Sequence, residues 1–409
     1  MMKKNSFIHY SNFISLQTKA AFILGRINNN ITKRVEQSSD LNNIKKILVL
    51  KTDEIGDFVL VTAFLRELRL MFPCAHITLV VNPKIYNLAE LCPHVDEIIV
   101  YKQNFPRYLK PFVLLWRAFK LGYCTLRPKN FDIALMPRWD MNTDYSAYIA
   151  YFSFAKRRIG YSENVNSRKQ LVNKGFDLMF TDAINNGKPG HEVERNLDLI
   201  RYLGGNPSSD FIELWINSED ENFADQILAH ISTKRLIAFC PGAGKANRQW
   251  PSDRFIELGK WLKNVYDASF IIIGGSDDKP IGKYIHDALN QGTIDFTGRT
   301  TLRQTIALLK RCHLYVGNDT GSMHLAAAMG VPVVEISCFP VNGPTAHWNS
   351  PYRFAPWQVP HKILQPKEIF SDSPDMFTEK HLSHIHEISV REVQDAILEL
   401  LPEIIRDGN

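Results

Sequence analysis

Val316-Gly317-Asn318-Asp319-Thr320-Gly321-Ser322-Met323-His324-Leu325-Ala326-Ala327-Ala328-Met329-Gly330-Val331-Pro332-Val333-Val334 decides the fold of this chain. The stretch reads as a buried strand, a polar turn of small residues, an Ala-rich helix and a second apolar strand. A strand returning through a helix to another apolar strand is the crossover unit of a parallel sheet. The turn would aim the backbone N–H groups of Thr320, Gly321 and Ser322 outward at a helix start. There the unpaired donors and the helix dipole together favour an anion, and a phosphate-bearing ligand is the natural guest.

Working outward, the same alternation occurs in two sets. In the first, residues 47–52 form a short apolar run suited to a strand buried on both faces, and apolar residues from Val59 to Met71 recur at helical spacing. Strands at 76–81 and 97–101 follow, with a helix at 83–91 between them. After the polar stretch Asn217-Ser218-Glu219-Asp220 the pattern restarts. Strands at 236–240 and 269–273 and helices at 252–265, 280–290 and 301–310 lead into the opening motif. The expected organisation is an extension at 1–45, a first Rossmann-like domain at 46–212 and a second at 213–409, closed by a helix at 390–401. The segment 339–387 reads as long, Pro-rich and irregular.

The chain has 409 residues, too many for one small core. Its 45% hydrophobic content is that of a globular protein. No apolar run approaches the roughly 18 residues of a membrane-spanning helix. Polar residues His9, Ser11, Asn12 and Ser15 interrupt what would be the apolar centre of a signal peptide, so the expected location is the cytoplasm. The six cysteines are far apart with no C-x-x-C pair, and read as reduced core residues. Net charge is +5, unevenly spread. From Lys102 to Phe131 there are seven basic residues and no acidic one, interleaved with aromatics, and a second basic cluster runs from Lys156 to Lys174.

Five motifs occur in a specific order. They are Thr52-Asp53-Glu54-Ile55-Gly56-Asp57 after the first strand, His191-Glu192-Val193-Glu194-Arg195-Asn196-Leu197 before Leu203-Gly204, Cys240-Pro241-Gly242-Ala243-Gly244, Trp250-Pro251 before a helix, and Asn318-Asp319-Thr320-Gly321 with His324. In order and spacing the chain resembles glycosyltransferase family nine, the bacterial heptosyltransferases of lipopolysaccharide core synthesis, over residues 44–405. The resemblance implies an α/β protein of GT-B architecture, two Rossmann-like domains facing a central cleft, with the acceptor on the first and the nucleotide sugar on the second. It implies inverting transfer without a required metal, Asp57 as catalytic base, Arg248 as a diphosphate contact, and Asp319, Thr320, Gly321 and His324 at the donor site. The chain departs from several relatives in lacking cysteines before the last helix.

Each residue also has a plainer reading. A single-displacement transfer needs one carboxylate to take the acceptor proton, which Asp57 would supply, yet Asp57 would equally cap a helix beginning at Phe58. Arg248 and Lys245 would receive the departing diphosphate, or lie in a solvated loop. Gly242 permits close backbone approach to phosphate or a tight turn. Asp278 suits a ribose, or the cap of a helix at Pro280. His324 and Thr320 are a turn apart on one helix, where His324 is a ligand or a packed core residue, and Ser322 lies between them. Lys110, Arg117, Lys120 and Arg127 suit an anionic glycolipid acceptor or membrane surface, or a solvated helix face. His381, His384 and His386 read as structural or surface residues, and no metal site is expected.

The expected activity is transfer of a sugar, heptose from an ADP-linked donor, onto a lipopolysaccharide core or related glycolipid at the inner face of the cytoplasmic membrane. The donor is a substrate, no cofactor is called for, and no nucleic acid is expected as a partner. The alternatives are another nucleotide sugar or a non-catalytic nucleotide-sugar binder. A nicotinamide-dependent oxidoreductase is disfavoured, because the turn Thr52 to Asp57 has one glycine instead of G-x-G-x-x-G.

Overall fold

A computed structural model of the chain describes residues 43–102, 110–229, 231, 235–367 and 384–406. Two compact units meet in the sequence between Asp210 and Phe211. The extension at 1–45 lies outside the described residues except for 43–45.

The first unit is built on six parallel strands, β1 (Lys46–Lys51), β2 (His76–Val81), β3 (Glu97–Val100), β4 (Ile133–Met136), β5 (Arg157–Tyr161) and β6 (Asp182–Ile184), in the order β3-β2-β1-β4-β5-β6. Its helices are α1 (Ile55–Met71), α2 (Tyr86–Ala89), α3 (Lys110–Phe119), α4 (Ser146–Phe152), α5 (Ser167–Val172) and α6 (Glu192–Tyr202). Residues Ile47 to Leu50 of β1 are buried throughout because helices cover both faces of a parallel sheet. One core gathers Leu48, Leu50, Val80 and Ala134 with Tyr148, Phe152 and Phe176. Each buried Leu, Val or Phe side chain among them contributes about 1.5–3 kcal/mol by leaving water.

The second unit repeats the plan with β7 (Arg235–Cys240), β8 (Ala268–Ile272), β9 (Thr293–Asp295), β10 (Leu314–Asn318), β11 (Val333–Ile336) and β12 (His361–Leu364), in the order β12-β11-β10-β7-β8-β9. Its helices are α7 (Ser218–Leu228), α8 (Ser252–Tyr266), α9 (Lys279–Leu289), α10 (Leu302–Leu309), α11 (Gly321–Ala328), α12 (Pro351–Phe354) and α13 (Val390–Arg406). Ile237, Phe239, Phe270, Val334 and Ile336 pack against Phe255, Leu258, Val393 and Ile397.

Counted within each unit, both sheets have the strand order 3-2-1-4-5-6 of doubly wound folds, and connections run off to opposite sides where the order reverses. Those switch points lie between β1 and β4 and between β7 and β10. Ligands of such sheets bind beyond the carboxyl ends of the strands there.

Two expectations need correction. The segment 339–387 is not irregular throughout, since it supplies α12 and the edge strand β12, which pairs in parallel with β11. Cys74 and Cys124 are exposed, while Cys92, Cys240, Cys312 and Cys338 are buried as expected.

Candidate functional site

At the switch point of the second unit, Asn318 ties the two strand ends together. Its Nδ2 donates to the carbonyls of Pro241 (2.7 Å) and Gly242 (3.2 Å), and its Oδ1 accepts from the Trp250 N–H at 3.0 Å. A single 3-10 turn, Ala246–Arg248, lies between these loops. From it the Arg248 Nη2 donates to Asp319 Oδ2 at 3.1 Å and to the Asp319 carbonyl at 3.4 Å. Thr320 and Ser322 place their hydroxyls 3.0 Å apart, and Ser322 Oγ is 3.0 Å from the Cys240 thiol. Helix α11 starts at Gly321, and the side chain of Thr320, in extended backbone at its N-cap, does not cap it. A positive helix end with a guanidinium beside it is suited to an anion.

Gly242 is required by its neighbour. A Cβ built there would lie 2.2 Å from the carboxyl carbon of Asp278. The carboxylate of Asp278 accepts from the Gly275 N–H at 2.8 Å, and burial raises its pKa against that hydrogen bond. Asp278 precedes α9 without capping it through its side chain, because its carboxylate turns back to Gly275. Lys245 is exposed at the start of the 3-10 turn. His324 is 4% exposed on α11, with the Phe354 ring centroid 6.5 Å from its own.

At the switch point of the first unit, α1 begins at Ile55 with Glu54 as N-cap, so Asp57 is the third helical residue and does not cap a helix at Phe58. Its half-buried carboxylate lies in the first turn, at the positive end of α1. Lys51 is fully buried, with Nζ 2.8 Å from Asp53 and 3.0 Å from the Pro137 carbonyl. Burial pushes the Lys51 pKa down, and the charge of Asp57 opposes that shift, with Glu192 and Asp144 adding smaller contributions. Arg138 also pairs with Asp53, and Thr52 donates to Asp144. His191 caps α6 by accepting the Val193 N–H, Glu192 pairs with Arg195 at 2.8 Å, and the Arg195 guanidinium lies 3.6 Å over the Trp139 ring. Asn196 donates to the Leu60 carbonyl of α1 at 3.0 Å. The first two motifs are therefore gathered beyond the carboxyl ends of the central strands β1 and β4.

Among the described residues, part of the basic stretch is engaged in the fold. Helix α3 passes into a π-helical turn, Lys120–Leu126, where Arg127 follows and lies 4.5 Å from the Tyr123 ring and 4.7 Å from that of Phe154. Lys129 pairs with Glu97 at 2.8 Å, and Arg117 donates to the Lys102 carbonyl at 3.3 Å. Lys120 is exposed beside Trp116, which is 62% exposed, and the backbone of Lys110 starts α3. In the second basic cluster Lys156 pairs with Asp132 and Arg157 with Asp182, both at 2.7 Å, while Arg158 and Lys169 are buried. His384, His386 and Glu387 come together near the surface, and His381 lies outside the described residues.

Sequence reasoning missed Glu335. It is 1% exposed in β11, and the charges acting on it are those of Asp319 and Arg248. The signal was present as the one acidic residue in an otherwise apolar strand.

Residues 121–365, more than half of the chain, match the model of glycosyltransferase family 9 (heptosyltransferase). The chain is 28% identical over 304 residues to lipopolysaccharide heptosyltransferase 2 of Salmonella typhimurium, covering 71% of this chain and 82% of that protein. It is 26% identical over 326 residues to lipooligosaccharide heptosyltransferase 2 of Haemophilus influenzae, covering 75% and 85%. A family 9 glycosyltransferase from Veillonella parvula superposes with a TM-score of 0.68 at 24% identity, covering 88% of this chain and 97% of that one. The Escherichia coli ADP-heptose lps heptosyltransferase II superposes with a TM-score of 0.64 at 22% identity, covering 89% and 100%. The paired doubly wound sheets are the GT-B fold of these structures.

Proposed function

The chain belongs to glycosyltransferase family 9, the heptosyltransferases, and on that premise we propose that it moves a heptose from ADP-heptose onto a lipopolysaccharide core or related glycolipid, inverting the anomeric centre without a metal. The donor and acceptor follow those named for the similar proteins from Escherichia coli and Salmonella typhimurium. The observation that carries the reading is the Arg248–Asp319 pair at 3.1 Å beside the start of α11, at the switch point of the second sheet.

In a single displacement the acceptor oxygen attacks the anomeric carbon as the bond to the diphosphate breaks on the opposite face, and a base takes the hydroxyl proton. Asp57 is the proposed base, ahead of the cap reading, because α1 already has Glu54 at its N-cap. The proposed role of Arg248 is to receive the negative charge developing on the leaving diphosphate, aided by the α11 N-terminus formed by Thr320, Gly321 and Ser322. Metal independence is part of the proposal, in which the Arg248 donors and the α11 N-terminus would stand at the leaving diphosphate in place of a cation. Asp278, held against Gly242, is the proposed ribose contact. His324, being buried, is proposed to hold α11 in place, and Lys245 to reach the diphosphate from the loop. Lys110, Arg117 and Lys120, with Trp116, are the proposed contact for an anionic acceptor or membrane surface on the cytoplasmic side, and Arg127 braces it between two rings.

The test is a transfer and hydrolysis assay with a panel of nucleotide sugars, products identified by mass spectrometry, with and without EDTA. ADP-heptose should be turned over preferentially and EDTA should change the rate by less than about twofold. Preference for another donor corrects the sugar, loss with EDTA corrects the metal independence, and no turnover of any donor leaves a binding protein.

A further inference from the structure

Glu335 sits in Val333-Val334-Glu335-Ile336. Val334 and Ile336 face the core formed with α8 and α13, so the alternation of a strand turns Glu335 to the other side of the sheet, where α11 packs on β10 and β11. Across the ladder it pairs with Gly317. Its Oε2 is buried with no hydrogen-bond partner. The two charged groups that act on it, Asp319 and Arg248, are joined to each other at 3.1 Å. The other titratable groups on the surrounding elements are Tyr315 of β10, Cys240 of β7, Cys338 after β11, His324 of α11, and His361 and Lys362 of the paired edge strand β12. Burial raises the pKa of the Tyr315 phenol and of both thiols, that of Cys338 to about 12, so these three carry no charge.

We propose that Glu335 is a positioning residue for the donor's diphosphate that works through Arg248, by setting how much of the guanidinium's charge is left for the ligand. The inference rests on Arg248 being the diphosphate contact. An ionised carboxylate buried without a hydrogen-bond partner is costly, so the acid protonates instead. Burial first, and the charge of Asp319 second, hold the Glu335 pKa well above the usual carboxylate range, with Arg248 opposing. While Glu335 is uncharged, Arg248 is opposed only by Asp319, whose own pKa burial raises against the pull of Arg248, and the α11 N-terminus leaves the locality favourable to an anion. If Glu335 ionised, the group would carry a net negative charge where a diphosphate must arrive. At the effective dielectric of a protein interior, one such charge within several ångströms weakens anion binding by about one to two orders of magnitude.

The experiment measures ADP binding to the full-length protein by calorimetry from neutral pH up to the alkaline limit of the folded protein, with donor kinetics alongside. The titration of ADP itself is common to every variant and cancels in the comparison. The wild type should bind ADP progressively more weakly as pH rises, by about fivefold or more. Glu335→Gln, isosteric and neutral, should keep the affinity at neutral pH within about twofold and lose that rise. Glu335→Leu, equally unable to ionise, should also lose that rise. The proposal is overturned if either Glu335→Gln or Glu335→Leu follows the wild-type pH curve. Arg248→Ala separates the two layers. If it binds ADP as well as the wild type does, the donor-site reading has failed and this inference falls with it, whatever Glu335→Gln shows.

Discussion

At the residue scale, the second unit's site turns on contacts that leave no spare volume. Asp278 reaches its place only because position 242 has no side chain. Gly242→Ala forces the carboxylate out, and overpacking of this kind costs about 1–3 kcal/mol. The variant should melt earlier and bind ADP about tenfold more weakly. Adding Asp278→Ala should restore the melting temperature without restoring ADP affinity. If the single variant binds ADP normally, Asp278 has no part in the donor site. Gly242 was legible in the sequence as a candidate because it falls in a motif, Arg248 because it stands two positions before Trp250-Pro251, and Asp278 because it stands just before the helix expected at 280–290. Their contacts were not, since Gly242 meets Asp278, and Arg248 meets Asp319, only when strands far apart in sequence lie side by side. Asp57 was legible as a charged residue after the first strand, but its place on the helix was misread. Gly56 is a poor helix former, and it delayed the expected start to Phe58. Burial of Phe58 through Leu65 outweighs that local preference and lets α1 begin at Ile55.

At the element scale, α5 anchors the loop after β4 through one side chain. Lys169 is buried, and its Nζ donates to the carbonyls of Arg138 (3.3 Å), Trp139 (3.1 Å) and Tyr161 (2.8 Å). Burial lowers its pKa from 10.5 to about 7. Between those values the unfolded chain holds a proton that the folded chain has released, so this group's contribution to stability rises with pH from about 7 upward. Lys169→Met leaves three carbonyls without their donor and should cost about 2 kcal/mol at neutral pH. Its deficit against the wild type, measured by urea unfolding, should widen from about pH 7 to pH 9. A deficit that narrows over that range contradicts the assignment. The long periodic elements were readable beforehand. β2 spans residues 76–81 as expected, and the two-set alternation holds. Strand β12 was not readable, because His361-Lys362-Ile363-Leu364 is a short, half-exposed edge strand among prolines whose identity comes only from pairing with β11.

At the scale of the whole molecule, two sheets of one topology each place a cluster of charged residues at a switch point. The net charge of +5 is modest, and the fold engages Arg127 and Lys129 of the basic stretch. The exposed remainder around Trp116 and Lys120 should still bind acidic surfaces. Flotation with vesicles containing anionic phospholipid should carry the full chain, more weakly as salt rises. The charge reversal Arg117→Glu with Lys120→Glu should leave it in solution, and equal flotation of that variant would remove the membrane contact from the account. The account as a whole depends most on Asp57. The direct measurement is turnover of ADP-heptose with acceptor by the wild type and by Asp57→Asn, with ADP affinity determined on the same preparations. Turnover should fall about 100-fold or more while ADP affinity stays within about twofold. Turnover that survives the substitution, or that falls only in step with ADP affinity, contradicts a catalytic base at position 57.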